Sequence, residues 1–290
     1  EAKYVIPSAY NTNILTCSDP CAPATSCFPA YTTTASSDGC ACTCAEGGHG
    51  DACLPVAVPE PPSTDGADLC VRDVRVDEEV KFSLGTSLVC YVGVTFAVDV
   101  VVDVESMSGS VRNVTLASCT FLGGASLYVV GWRSDPPAGE RADVLISGLE
   151  VRSGGGVLVA NRFPPGSRVT LVDSVLIAEA HVAYRDAYDL GDVSACLVVH
   201  NVNLKGSVLT IARTHVAAVF RDAVGVLVVG GVALSSRGAL YVDGLSVQTA
   251  LGLCVSVEGG VAASGGSVVA FVDSDFLLCK HAVSVRGAVS

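Results

Sequence analysis

The sequence predicts an all-β chain, a parallel, right-handed β-helix of about seven coils behind a small disulfide-rich module. Three observations carry that expectation. Half of the 290 residues are hydrophobic, yet aromatics make up only 6% and Met occurs once, so the apolar content is Val, Ala and Leu, residues of strands and turns. Most of the 13 cysteines crowd into the first quarter of the chain. From about residue 70 onward, one short apolar pattern recurs at a nearly constant interval.

The amino-terminal segment, residues 1–55, carries Cys17, Cys21, Cys27, Cys40, Cys42, Cys44 and Cys53 with no sustained hydrophobic period. A segment of this kind cannot build an apolar core, so covalent cross-links hold it. So many cysteines place the chain in an oxidising compartment, with Cys70 just beyond as a further disulfide candidate. The stretch from Cys42 through Cys44, a glycine-rich turn and Cys53 resembles the carboxyl half of an epidermal-growth-factor-like module. That resemblance implies Cys17, Cys21 and Cys27 as its first three positions and Cys42, Cys44 and Cys53 as its last three. Cys40 is then an extra that could pair with Cys70, and the connectivity stays open. A generic cysteine-stapled knot is the alternative reading. The residues before Cys17 lack an acidic cluster, so no calcium is expected there. Residues 56–69 form a proline-rich linker, and residues 70–290 form the repeats.

Within the repeats the pattern is apolar, any, apolar, any, small or polar, any, any, apolar. It runs through Val114, Leu116, Ser118 and Phe121, through Val144, Ile146, Gly148 and Val151, and through Val169, Leu171, Asp173 and Leu176. It returns at Leu197, Val199, Asn201 and Leu204 and at Leu227, Val229, Gly231 and Leu234. A second series, out of phase, pairs Leu127 with Val129, Val157 with Val159, Val182 with Tyr184, Leu209 with Ile211, Leu240 with Val242, and Val269 with Phe271. Each repeat of about 28 residues therefore holds at least two short strands. Alternation points side chains inward, and the small or polar residue lets the chain bend. A single coil cannot bury its inner face, so neighbours must stack, with right-handed crossovers expected. Leu88 to Val102 fits an opening coil. A leucine-rich horseshoe shares the period but needs a helical segment in each repeat, and stretches such as Arg152–Gly156 are glycine-rich without helical periodicity.

With 17 basic against 29 acidic residues, the net charge of −12 repels phosphate backbones and argues against nucleic-acid binding. No apolar run is long enough to span a membrane without a charge, since Asp99 and Asp103 break the longest, so any anchor is expected elsewhere in a longer chain. Asn113-Val114-Thr115 is a candidate N-glycosylation site. No Arg-x-Lys, Gly-x-Ser-x-Gly or phosphate-loop pattern occurs, and neither a catalytic residue nor a cofactor is expected. Asp186, Asp189 and Asp192 offer carboxylates at regular spacing and are a candidate Ca²⁺ site. The spacing matches no EF-hand, so a solvated charged loop is the plainer reading.

The cysteine segment ending in Gly-His-Gly-Asp-Ala-Cys-Leu-Pro-Val-Ala-Val-Pro-Glu-Pro-Pro, joined to repeats such as Arg-Asn-Val-Thr-Leu-Ala-Ser-Cys-Thr-Phe, resembles the dispersed-gene-family surface proteins of trypanosomes. The resemblance covers nearly the whole chain. It implies pectin-lyase-like β-helical repeats, a cell-surface location, a chain that is a fragment of a longer membrane-anchored protein, and attachment to host matrix proteins or glycans without catalysis. An atypical carbohydrate-active enzyme and a purely structural coat protein are the alternatives. No Arg-Gly-Asp tripeptide supports integrin binding.

Overall fold

The computed structural model describes residues 32–35, 42–44 and 70–286, apart from positions 79, 83–86, 153, 180–181, 183, 185–194, 222 and 251. Near the amino end, β1 (Thr32–Ala35) and β2 (Cys42–Cys44) pair antiparallel. Every later strand belongs to a stack of three-stranded rungs.

The first rung is β3 (Val71–Arg72), β4 (Arg75–Val76) and β5 (Val80–Phe82), and the second is β6 (Leu88–Val92), β7 (Thr95–Phe96) and β8 (Val100–Asp103). The third is β9 (Val111–Ala117), β10 (Thr120–Phe121) and β11 (Leu127–Val130), and the fourth is β12 (Arg141–Ser147), β13 (Glu150–Val151) and β14 (Val157–Arg162). The fifth is β15 (Arg168–Val172), β16 (Val175–Ala178) and β17 (Ala195–Lys205), and the sixth is β18 (Val208–Ala212), β19 (His215–Arg221) and β20 (Val224–Ser235). The seventh is β21 (Ala239–Asp243), β22 (Ser246–Ala250) and β23 (Leu253–Glu258), extended by β24 (Val261–Ala263), and the eighth is β25 (Val268–Val272), β26 (Asp275–Leu277) and β27 (His281–Arg286).

The first strands of the rungs stack into one eight-stranded sheet and the second strands into another. The third strands make a nine-stranded sheet with β24 added beside β20, and every pairing within the three sheets is parallel. The chain is thus a parallel β-helix with eight rungs, the middle six flanked on both sides. That is one more than the repeat pattern suggests. The extra rung opens the stack, and its strands of two or three residues are too short to show an alternation.

Alternation fills the interior. Along β12 every second residue is buried, and β9 follows the same pattern in register. Like then stacks on like down the axis. Val114, Val144, Val169, Leu209 and Leu240 follow one another in the first sheet, and Phe96, Phe121, Val151, Leu176 and Val216 in the second. Each fully buried side chain of this size stabilises the fold by about 1.5–3 kcal/mol relative to exposure. Phe96 and Phe121 pack with ring centroids 4.9 Å apart.

Between first and second strands one residue turns the chain in every rung. Asp73, Gly93, Ser118, Gly148, Asp173, Arg213, Gly244 and Asp273 all take φ between 45° and 66°. Ser118, Gly148 and Asp173 are the small or polar positions of the sequence pattern, but Asn201 and Gly231 are not at this corner. They turn the chain inside the long third strands β17 and β20, where the register shifts. The cause is an excursion between β16 and β17. It separates the successive corner residues Asp173 and Arg213 by 40 positions, against 25 for the rung-to-rung contact of Leu149 with Ser174. The two interleaved series therefore exchange sheets at the fifth rung.

Val182 and Tyr184, expected as a strand, lie in this excursion outside any strand. Val182 is buried in the main core, and Tyr184 covers the outer side of the third sheet. There it packs edge-on against Tyr128 at 6.2 Å and seals a second apolar cluster of Tyr128, Val130, Leu158, Val198 and Leu227. Its hydroxyl donates to the Ala195 carbonyl at 2.6 Å. Cys70 pairs with Cys90 in the neighbouring rung, not with Cys40, because rung stacking brings their Cα atoms to 4.5 Å. Cys254 bonds Cys279 in the same way, while Cys119 and Cys196 are free and buried.

Candidate binding groove

The third strands do more than close each rung. β17 and β20 run on past a bend into a second arm, Val202–Lys205 paired with Val232–Ser235, and β24 continues that arm into the seventh rung. At the bend the chain passes through the left-handed region at Asn161 (φ 73°), Asn201 (49°), Gly230 (72°), Gly231 (86°), Gly259 (98°) and Gly260 (85°). Asn tolerates that region because its short side chain bonds locally, and here Asn201 Nδ2 donates to His200 Nε2 at 3.0 Å. Gly230 suits its φ of 72° without strain, and a Cβ there would also displace the Asn201 amide.

Outside this bend lies a groove of about 540 Å³ that crosses five consecutive rungs, from Trp132 and Arg133 in the third to Gly259–Ala262 in the seventh. Buried Val202 and Leu204 alternate with outward Asn203 along the second arm. Asn203, Ala233 and Ala262 are paired in register, so their side chains line one wall. Ala at two of these positions keeps the groove open. Arg162 joins the fourth rung to both neighbours, exchanging main-chain bonds with Trp132 at 2.9 and 3.1 Å and pairing with Asn203.

Trp132 is itself held from behind. The guanidinium of Arg112 lies over its ring at 4.6 Å, donates from Nε to the Met107 carbonyl at 2.9 Å and is ion-paired with Glu140. Arg112 is 5% exposed, so this is a buried charge with a carboxylate, a carbonyl and an aromatic face around it. At the groove's mouth Arg162 pairs with Asp135, and the Arg133 peptide N–H donates to Glu105 Oε2 at 3.2 Å. The residues that line the groove include two arginines and three asparagines but no carboxylate.

Among the described residues, none of those expected to carry chemistry lines this groove. Asp186, Asp189 and Asp192 fall outside the described residues, as do the side chains of Cys17, Cys21, Cys27, Cys40, Cys42, Cys44 and Cys53. Asn113 sits on an outward position of β9, exposed beside Leu88 and Asp143 in the register. Asp99 and Asp103 serve turns, accepting from the Ser126 N–H at 2.9 Å and the Ser106 hydroxyl at 2.9 Å. Among the described residues no cluster of His, Cys, Asp and Glu is placed to hold a metal ion. Burial pushes the Cys196 thiol up to about 12 and raises that of Cys119, so both stay protonated and serve as small apolar side chains. Asp243 is raised by burial and by neighbouring Asp273, while the Arg213 guanidinium holds Asp173 below its usual value. Both lie at the corner between first and second strands and do not line the groove. The groove residues were hidden from sequence reasoning except for Asn201 and Gly231, which mark its bend as turn positions.

No helix among the described residues is long and apolar enough to cross a membrane. No curated protein and no solved structure matches the chain. The family model of the DGF-1 beta-sheet domain matches residues 113–275, from the third rung into the eighth. With that stretch making up more than half of the 290 residues, the chain belongs to the DGF-1 beta-sheet domain family, and so to the dispersed gene family of trypanosomes.

Proposed function

We propose that the chain is the adhesive, non-enzymatic part of a cell-surface protein that contacts host extracellular matrix or glycans. One observation carries the reading: a continuous outer groove spans five stacked rungs, lined by amides, guanidinium groups and main chain, without paired carboxylates for acid–base work. A rod whose core positions are committed to stacking offers extended contact area, which suits recognition better than turnover. Family membership and a disulfide-stapled rod support an extracellular setting.

The test presents the whole chain to immobilised matrix proteins and a glycan panel, with antibody labelling of intact, unpermeabilised cells alongside. Binding of at least one ligand class together with surface labelling is the expected result. Turnover of a polyuronide on the same panel would replace this reading with an enzyme, and neither binding nor turnover would leave a structural coat protein.

A further inference from the structure

We infer that the groove is an axial site for an acidic oligosaccharide. Its carboxylate or sulfate sits at the Arg133 and Arg162 end, and its ring hydroxyls lie against the amides of Asn161 and Asn203. This deepens the adhesive reading and rests on it.

Shape is the first argument. Five rungs at a strand spacing of about 4.8 Å give the groove a length of roughly 19 Å along the rod. It repeats once per rung, as an extended saccharide repeats once per ring. The wall positions Asn203, Ala233 and Ala262 succeed one another at that repeat, and Gly230, Gly231 and Gly259 keep the bend free of side chains.

Chemistry is the second. The lining supplies amide donors and acceptors together with main chain, the groups that match sugar hydroxyls, and the two carboxylates at its mouth, Asp135 and Glu105, are engaged by the Arg162 guanidinium and the Arg133 peptide N–H. Arg133 is exposed, and no carboxylate among the described residues pairs with its guanidinium, which leaves a planar donor fork for a carboxylate or sulfate. Arg162, held by Asp135, adds a second guanidinium one rung away.

A peptide fits less well. Strand addition needs an open sheet edge. Here β17 is paired to both β14 and β20, and among the described residues of the groove's arm only the three-residue β24, paired to β20 alone, leaves an edge, too short to hold an extended peptide along the groove. Only two arginines face a groove roughly 19 Å long, too few to meet the phosphate that a nucleic acid presents at every nucleotide step, while a saccharide with an acidic group seated at that end needs no more.

The experiment is calorimetric titration of the whole chain with a hyaluronan hexasaccharide, a heparin-derived hexasaccharide, the corresponding disaccharides and neutral cellohexaose. At least one acidic hexasaccharide binds, about tenfold more tightly than cellohexaose, as one charge-assisted contact provides. Arg133→Glu weakens it by about tenfold or more and Asn203→Ala by about threefold, each the loss of a single contact. Ala233→Trp, an outward substitution that fills the groove, abolishes binding. Circular dichroism of each variant confirms the fold.

Equal affinity for acidic and neutral sugars would overturn the proposal. So would disaccharides binding as well as hexasaccharides, or saccharide binding untouched by Ala233→Trp. A chain that binds matrix protein but no saccharide, even through this groove, sinks the oligosaccharide site while leaving adhesion standing. A chain that binds nothing sinks both.

Discussion

Replacing Arg112 with Met tests how the groove's wall is held. The substitution keeps an unbranched apolar stem of similar length, so packing against Trp132 survives while the charge and its donors go. Three interactions are lost: the ion pair with Glu140, the bond from Nε to the Met107 carbonyl, and the cation over the Trp132 ring at 4.6 Å. Breaking a buried pair by removing one partner costs about 3–5 kcal/mol. The Glu140 side chain keeps 21% exposure and can hydrate once freed, which places the ion-pair loss near the lower end of that range or below it. With the cation–π contact worth about 1 kcal/mol, the expected destabilisation is about 3 kcal/mol. Trp132 is the chain's single Trp, so urea unfolding followed by its fluorescence reads the third rung directly. Arg112→Met with Glu140→Gln removes the stranded carboxylate and should recover about half of the loss. A single variant less than about 1 kcal/mol below wild type, or a double variant no better than the single, would refute the reasoning.

Two further outcomes are expected. Cys90→Ser opens the Cys70–Cys90 bridge, which spans a sequence separation of 20, and should cost up to about 3 kcal/mol, read as faster hydrogen exchange confined to the first two rungs. Asp243→Asn should raise the melting temperature at neutral pH. The folded-state pKa of Asp243 lies above its unfolded value, so the wild-type carboxylate favours folding most when protonated and loses that advantage as pH rises through the folded value. The difference between variant and wild type should therefore vanish below the ordinary carboxylate value of 3.8, and a difference that grew on acidification would contradict the burial argument.

The parallel stack is legible in the chain because alternation at Val114 and Leu116, at Val144 and Ile146, and at Leu209 and Ile211 is long enough to reveal one buried face. The second sheet leaves almost no such signal. Thr120–Phe121 and Glu150–Val151 are two residues long and contribute one inward side chain each, which reads as the tail of a turn. The exchange of the two series at the fifth rung is equally hidden, since a longer excursion changes which corner a Gly or Asn occupies without altering the local pattern. The groove is further still from view. Arg133, Arg162, Asn203 and Ala233 come from four rungs and meet only through axial register. For the same reason the partner of Cys70 could not be chosen until Cys90 was seen one rung away.

Both described solenoid disulfides fall at the outermost of the described interfaces, Cys70–Cys90 between the first two rungs and Cys254–Cys279 between the last two. Under tension along the rod, every interface carries the same load, and each resists with its whole row of hydrogen bonds at once. The opening interface has the fewest registered pairs, two from β3, two from β4 and three from β5. A covalent link there converts the weakest joint into one that peels only by breaking a bond. Mechanical failure is thereby moved to the interior joints, whose registered pairs are more numerous, up to the nine that β17 alone shares with β20.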